Sequence, residues 1–177
     1  MKNISVFCAA SRKLDNRYYE EALAFGEWMG KHNKVLIYGG ANSGLMEAVA
    51  KGAKQQGGKV VGVIPHMLES KCRVSSYVDE AINCKNLSER KDIMMEQSDV
   101  FVALPGGIGT LDEIFTVMAS NSIGYHTKKV ILFNVSGFWD GLLGVLNEMD
   151  SKHFINVPLS QYLEVVRSWD ELDRLLG

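Results

Sequence analysis

The stretch "ALPGGIGTLDE", residues 103–113, decides how the chain is organised. It leaves a run of β-formers, "DVFVAL" (99–104), and enters a segment of helical period, so it joins a strand to a helix. Gly106, Gly107 and Gly109 fill three of four consecutive positions, which neither a strand nor a helix interior supports. They form a turn whose backbone a ligand can approach closely. Beyond it lies a helix N-terminus, whose free N–H groups and positive dipole end suit a phosphate. A tight strand-to-helix turn without a ligand accounts for the same glycines.

The rest of the chain repeats this strand-then-helix pattern. "ISVFCA" (4–9), "KVLIYGG" (34–40), "KVVGVIP" (59–65) and "KKVILFN" (128–134) are short apolar runs without helical period, the mark of strands buried on both faces. "YVDEAINC" (77–84) alternates weakly, and "EVV" (164–166) is a last short strand. Helices are expected from a cap at Asp15 or Asn16 to about Lys31, and over "SGLMEAVAKGAKQQGG", with Gly57 and Gly58 as its stop. Others are expected from Leu87 to Gln97, from Thr110 to Asn121 and from Phe138 to Met149. Asn86 with Glu89, and Ser168 with Glu171, have capping-box spacing. Residues 66–76 show no clear period and are expected to be a loop. Such alternation implies right-handed crossovers and an α/β fold with a mostly parallel, doubly wound sheet. No linker or repeat divides residues 1–177, so one domain is expected.

The composition agrees. With 177 residues, 46% of them hydrophobic and 23% charged, the chain can bury a real core. A net charge of -2 gives no reason to expect nucleic acid or an anionic membrane as partner. Cys8, Cys72 and Cys84 form no Cys-x-x-Cys pair, which argues for reduced thiols and a cytoplasmic protein. The apolar stretch before Arg12 is too short for a signal peptide to be expected, and no apolar segment approaches membrane-spanning length.

Ligands of open parallel sheets bind beyond the C-terminal strand ends. Three loops leave those ends with useful chemistry: "CAASRK", "YGGANSG" and "LPGGIGT". A dinucleotide fingerprint starting at Gly107 would need glycine where Asp112 stands, and neither glycine loop contains the Gly-Lys-Ser/Thr of a P-loop. Ser43 is flanked by Ala41 and Leu45 where a nucleophile elbow needs glycines. The four histidines are scattered, so no metal and no cofactor is expected. A phosphate loop remains.

Glu113 has two readings at this point. Thr110-Leu-Asp-Glu113 is a capping-box pattern, so Glu113 could bond backwards to the cap. It could equally be a catalytic carboxylate presented by the loop. Arg90 and Lys91 lie in the first turns of their helix, where cations oppose the dipole; this favours an anionic partner, with a solvated face as the default.

"LSERKDIMMEQSDVFVALPGGIGTLDE" resembles the LOG family of cytokinin riboside 5'-monophosphate phosphoribohydrolases, whose signature is Pro-Gly-Gly-x-Gly-Thr-x-x-Glu after an Arg-Lys pair. The signature is complete from Pro105 to Glu113, and "SVFCAAS", "YGGANSGLM" and "GKVVGVIP" match the family's opening motifs in order and spacing. Relatives are often labelled possible lysine decarboxylases, yet the chain has no pyridoxal-phosphate motif. The resemblance implies a homodimer of modified, three-layer Rossmann subunits. It implies hydrolysis of the N-glycosidic bond of nucleoside 5'-monophosphates, such as a cytokinin riboside monophosphate or AMP, to free base and ribose 5-phosphate. By the motif, Arg90 and Glu113 take the catalytic positions, and Gly106, Gly107, Ile108, Gly109 and Thr110 form the phosphate loop. The same correspondence carries Glu69, Lys91, Leu111, Asp112 and Met118 to the substrate site, with Gly39, Gly40 and Gly44 of the second glycine loop.

Departures surround these positions. Family members commonly read Cys-Gly-Ser-Ser where this chain has "CAAS", Gly-Gly-Gly-x-x-Gly-Leu-Met-Gly where it has "GGANSGLME", and Thr-Trp-Ala-Gln-Leu-Gly where it has "MASNSIG". They bear on the preferred base more than on the reaction. Glycosidic cleavage builds positive charge on the ribose through an oxocarbenium-like state. Glu113 as a carboxylate could stabilise that charge or take a proton from the attacking water; Arg90 could orient Glu113 or bind the phosphate. Two rivals stand beside this. Molybdenum-cofactor carriers share a similar fold and a glycine-rich phosphate site, so binding without turnover is conceivable. A general nucleotide nucleosidase with no cytokinin role is the other.

Overall fold

The computed structural model describes residues 2–67 and 73–177. Its strands are β1 (Asn3–Phe7), β2 (Val35–Tyr38), β3 (Lys59–Pro65), β4 (Glu80–Cys84), β5 (Val100–Ala103), β6 (Val130–Phe133) and β7 (Leu163–Val166). Its helices are α1 (Asn16–Lys31), α2 (Gly44–Gln55), α3 (Leu87–Gln97), α4 (Ile108–Ser122), α5 (Asp140–Ser151) and α6 (Trp169–Leu176). Among the described residues the strands form one seven-stranded sheet in the order β4-β3-β2-β1-β5-β6-β7, with every neighbouring pair parallel.

Two cores explain the unbroken apolar strands. Ile4, Val6, Leu36, Tyr38, Val102 and Phe133 face one side and pack under α1, α2 and α6. Phe7, Val35, Ile37, Phe101, Ala103 and Leu132 face the other, under α3, α4 and α5. Successive residues of a strand point to opposite faces, so a sheet covered on both sides needs apolar residues at every position. The three-layer α/β architecture expected from the sequence is the one observed.

The helix starts follow their caps. Asp15 accepts from Arg17 N, Asn86 Oδ1 accepts from Glu89 N at 3.0 Å, and Ser168 Oγ accepts from Glu171 N at 3.2 Å. In the last two, the Glu side chain reaches back to the residue before the cap, Lys85 or Arg167. Some boundaries move. Helix α5 begins at Asp140 rather than Phe138, because Trp139 is pinned ahead of it: its backbone N–H donates to Asn134 Oδ1 at 2.7 Å and its indole N–H to Ala103 O at 3.1 Å. Strand β4 is shorter than the alternating stretch 77–84. In the segment expected to be a loop, His66 and Met67 are helical and Val74 bridges antiparallel to Ala41.

The chain order along the sheet reverses between β1 and β5. Phe7 and Ala103 are paired there, so the loops leaving both strands emerge side by side. Ala9 N donates to Pro105 O at 3.1 Å across this gap. Crevices at such switch points are the usual ligand sites of doubly wound sheets.

Candidate active site

The glycine loop ends sooner than its sequence suggests. Helix α4 starts at Ile108, not at Thr110, with Gly107 as a cap that supplies no side-chain bond. Gly109 and Thr110 therefore stand in its first turn, where backbone N–H groups have no carbonyl to bond within the helix. Gly107, Ile108 and Gly109 are exposed, while the Thr110 side chain is buried against Gly106. A Cβ on Gly106 would lie 2.1 Å from Thr110 Oγ1, so only glycine fits beneath that threonine. The early start also removes the capping box, since Thr110 is no longer the cap.

Glu113 points elsewhere. Its Oε1 accepts from Arg90 Nη2 at 2.9 Å, and the two side chains are 4% and 12% exposed. Burial pushes the Glu113 carboxyl up from 4.5 to about 7. The Arg90 charge opposes that rise; Asp112 adds to it, and Lys91 opposes it. At neutral pH the group sits near its midpoint, where a carboxyl exchanges protons most readily.

Arg90 in turn lies over the second glycine loop. A Cβ on Gly39 would approach Arg90 Nη1 to 3.0 Å. Gly40 and Gly44 have φ of +73° and +61°, and a Cβ on Gly44 would come within 2.5 Å of Ala10 C. Leu45 N donates to Ala9 O at 2.8 Å, which seats the start of α2 on the loop after β1. These glycines shape the walls.

A cleft of about 260 Å³ opens among these parts. Cys8, Ala9, Ala10 and Ser11 line it from the β1 loop, Met46 from α2 and Arg90 from α3. Gly107, Gly109, Thr110 and Glu113 line it from the β5 loop and α4. Cys8 is a small buried wall, and burial pushes its thiol far up, so it is no nucleophile. The sequence pointed to the β1 loop "CAASRK" as a whole, by its place just past a strand, but assigned none of its residues, nor Met46, to the site.

The other expected site residues go different ways. Lys91 Nζ donates to both carboxylate oxygens of Asp112 at 2.8 Å and to Thr116 Oγ1 at 3.0 Å. Leu111 packs against the core beneath α4. Met118 is buried and borders a separate groove, with Phe115, Leu146 and Phe154. Glu69 lies outside the described residues. Among the described residues, no cluster of His, Cys, Asp or Glu could hold a metal ion. None of their helices is long and apolar enough to cross a membrane.

Residues 46–176 match the family described as "Possible lysine decarboxylase". A probable cytokinin riboside 5'-monophosphate phosphoribohydrolase of Oryza sativa subsp. japonica is 38% identical over 154 residues, covering 87% of this chain and 68% of that one. The chain belongs to the LOG family. Its LOG relatives include the cytokinin riboside 5'-monophosphate phosphoribohydrolase of Mycobacterium marinum, 32% identical over 95% of this chain and 89% of that one. An Arabidopsis thaliana protein of the same name is 34% identical over 88% of this chain and 73% of its own length.

Solved structures share the fold. The molybdenum cofactor binding protein of Rippkaea orientalis superposes with a TM-score of 0.75 at 26% identity, over 99% of this chain and 94% of that one. The molybdenum cofactor carrier protein of Chlamydomonas reinhardtii has a TM-score of 0.75 at 23% identity, over 99% and 95%, and speaks to the fold alone. Membership of the LOG family makes the chain an enzyme family member, and the lysine decarboxylase label finds no pyridoxal-phosphate motif in it.

Proposed function

We propose that the chain hydrolyses the N-glycosidic bond of nucleoside 5'-monophosphates, releasing free base and ribose 5-phosphate. The observation that carries this is the buried Arg90–Glu113 pair, set in the switch-point cleft one helical turn from an exposed glycine cradle. The 5'-phosphate sits on the first-turn N–H groups of α4, where the dipole favours an anion and the glycines leave room for it. This fixes the ribose toward Glu113, and the remote phosphate supplies binding energy for work at the reacting bond.

As the bond to the base lengthens, positive charge grows on the ribose. Ionised Glu113 stabilises that charge and takes a proton from the water attacking C1'. The base leaves with the bonding electron pair and gains a proton. Arg90 holds Glu113 in line through Nη2; its buried Nε has no hydrogen-bond partner among the described residues. Lys91, Asp112 and the walls at Gly39, Gly40 and Gly44 support the site around these two residues.

AMP and N6-substituted AMP are the proposed substrates, and a cytoplasmic homodimer is the proposed form. A carrier that binds without turnover is the rival, given the shared fold. A carboxyl lifted toward neutrality beside an arginine suits proton transfer better than storage of an anionic ligand.

The test is a panel of nucleosides and their 5'-monophosphates, with free base and ribose 5-phosphate measured. AMP or an N6-substituted AMP should be cleaved far faster than adenosine. Equal kcat/KM for nucleoside and nucleotide would remove the phosphate cradle. Tight binding of every nucleotide without release of base would favour the carrier.

A further inference from the structure

The turn between β5 and α4 can do little to hold itself in place. Gly106 and Gly107 carry no side chain, and Gly107 caps α4 without a side-chain bond. Its position has to come from the elements beside it. On the β1 side the main chain does this: Leu104 N donates to Phe7 O at 3.0 Å, and Ala9 N to Pro105 O at 3.1 Å. On the β6 side a side chain does. The Trp139 indole N–H donates at 3.1 Å to Ala103 O, the carbonyl of the last β5 residue, three positions ahead of Gly106.

Trp139 is itself fixed. It is buried, its ring meets Phe138 edge-on at 4.8 Å, and its backbone N–H donates to Asn134 Oδ1 at 2.7 Å. Asn134, also buried, donates its main-chain N–H to Val166 O and its Nδ2 to Asp140 Oδ1, at 2.7 and 2.8 Å. Gly137, at φ +74°, closes the turn between them and donates its N–H to Asn134 O at 3.1 Å. The indole thus hangs from the ends of β6 and β7 and reaches across to β5.

We propose that Trp139 is a positioning residue: its indole N–H holds the end of β5, and with it the glycine turn, where the first-turn N–H groups of α4 meet the 5'-phosphate. A buried indole finds a partner in any fold. What gives this one a role is the carbonyl it takes. Without that bond the turn is held from the β1 side alone and is free to tilt. The loss falls on phosphate recognition, because Glu113 and Arg90, further from the turn, hold one another.

This rests on the proposed hydrolase, and the experiment separates the two. In the full chain, Trp139→Phe keeps an aromatic ring and removes the donor. Trp28→Phe is the control, since it removes an indole bond of the same kind, to Asp173 Oδ1, between α1 and α6. Trp139→Phe should lower kcat/KM for AMP on the order of 10-fold, as small misplacements do, and change it little for adenosine. The preference for the nucleotide then falls by the same factor, while Trp28→Phe keeps it. A second readout needs no turnover. The chain has three tryptophans, hence three indole N–H signals in NMR. Ribose 5-phosphate, titrated into isotope-labelled wild type, should shift the Trp139 signal and leave those of Trp28 and Trp169 in place; ribose should shift none. Trp28→Phe and Trp169→Phe assign the signals, so this readout stands should Trp139→Phe not fold.

An unchanged preference for AMP over adenosine in Trp139→Phe would overturn the proposal. So would an equal fall in Trp28→Phe, or a Trp139 signal unmoved by ribose 5-phosphate. A wild-type protein that releases no base from any nucleotide sinks the hydrolase, while the ribose 5-phosphate titration still decides the role of Trp139.

Discussion

Arg90 Nη2 and Glu113 Oε1 stand 2.9 Å apart, joining α3 to α4 where water hardly reaches. The pair answers the question left open by the sequence. Glu113 bonds to an arginine on another helix and not to a cap of its own, so its position is set by tertiary contact.

The first expectation concerns pH. Burial raises the Glu113 carboxyl to about 7, and the proposed reaction uses its ionised form. kcat/KM with AMP should therefore fall as pH drops, with a midpoint near 7. In Glu113→Gln the residual activity should lose that limb. A wild-type profile flat from pH 5 to 8 would contradict the buried carboxylate.

Gly39 tests the geometry of the arginine without touching it. Gly39→Ala puts a methyl about 3.0 Å from Arg90 Nη1, close enough to shift the guanidinium. The expected result is a fall in kcat on the order of 10-fold or more, in line with the cost of small displacements. The melting temperature should change little, because the neighbour that must give way is the end of a flexible side chain. Unchanged kcat in this variant would show that Arg90 tolerates displacement.

Much of the fold was legible because β and α periods differ so clearly. Apolar runs such as "KVVGVIP" become strands buried on two faces, and β3 spans that whole run. The Asn86–Glu89 spacing located the start of α3, and Gln97 its end. The start of α4 was not legible, since Gly107 caps it without a side chain and leaves no residue-type signal. Trp139 misled for another reason: it is pinned ahead of the helix by Asn134, five residues before it, and by Ala103 on a strand distant in sequence. In the site, Arg90 and Glu113 were legible as residues but not as a pair. Met118 was drawn in by motif, yet helical spacing turns it to the side of α4 away from the cleft. The position of Lys91 early in its helix favoured an anionic partner, with a solvated face as the default; in the structure it pairs with Asp112 of α4, a contact between helices that spacing cannot show.

The face of α4 and α5 bears on assembly. Phe115, Met149 and Phe154 are exposed around a groove of about 320 Å³, and Ile123 and Tyr125 are exposed beyond the end of α4. Apolar side chains gathered like this mark an interaction surface. Light scattering at micromolar concentration should report at least a dimer, and Phe115→Lys should shift it toward monomer. A wild-type monomer with full activity would contradict assembly through this face.

The most direct test of the account is kcat of Glu113→Gln with AMP at pH 8, beside its melting temperature. Glutamine keeps an oxygen for Arg90 Nη2 but cannot take a proton from water or oppose a cationic sugar. The loss should be at least about 10²-fold, within the range of general-base catalysis. The fold should not suffer. The native site favours neutral Glu113, a contribution to stability that is full below about 4.5 and lost as pH rises through about 7. At pH 8 the neutral glutamine should therefore melt no lower than wild type, and the gap should narrow at pH 5. Near-normal kcat in a folded Glu113→Gln protein would contradict the catalytic role of Glu113.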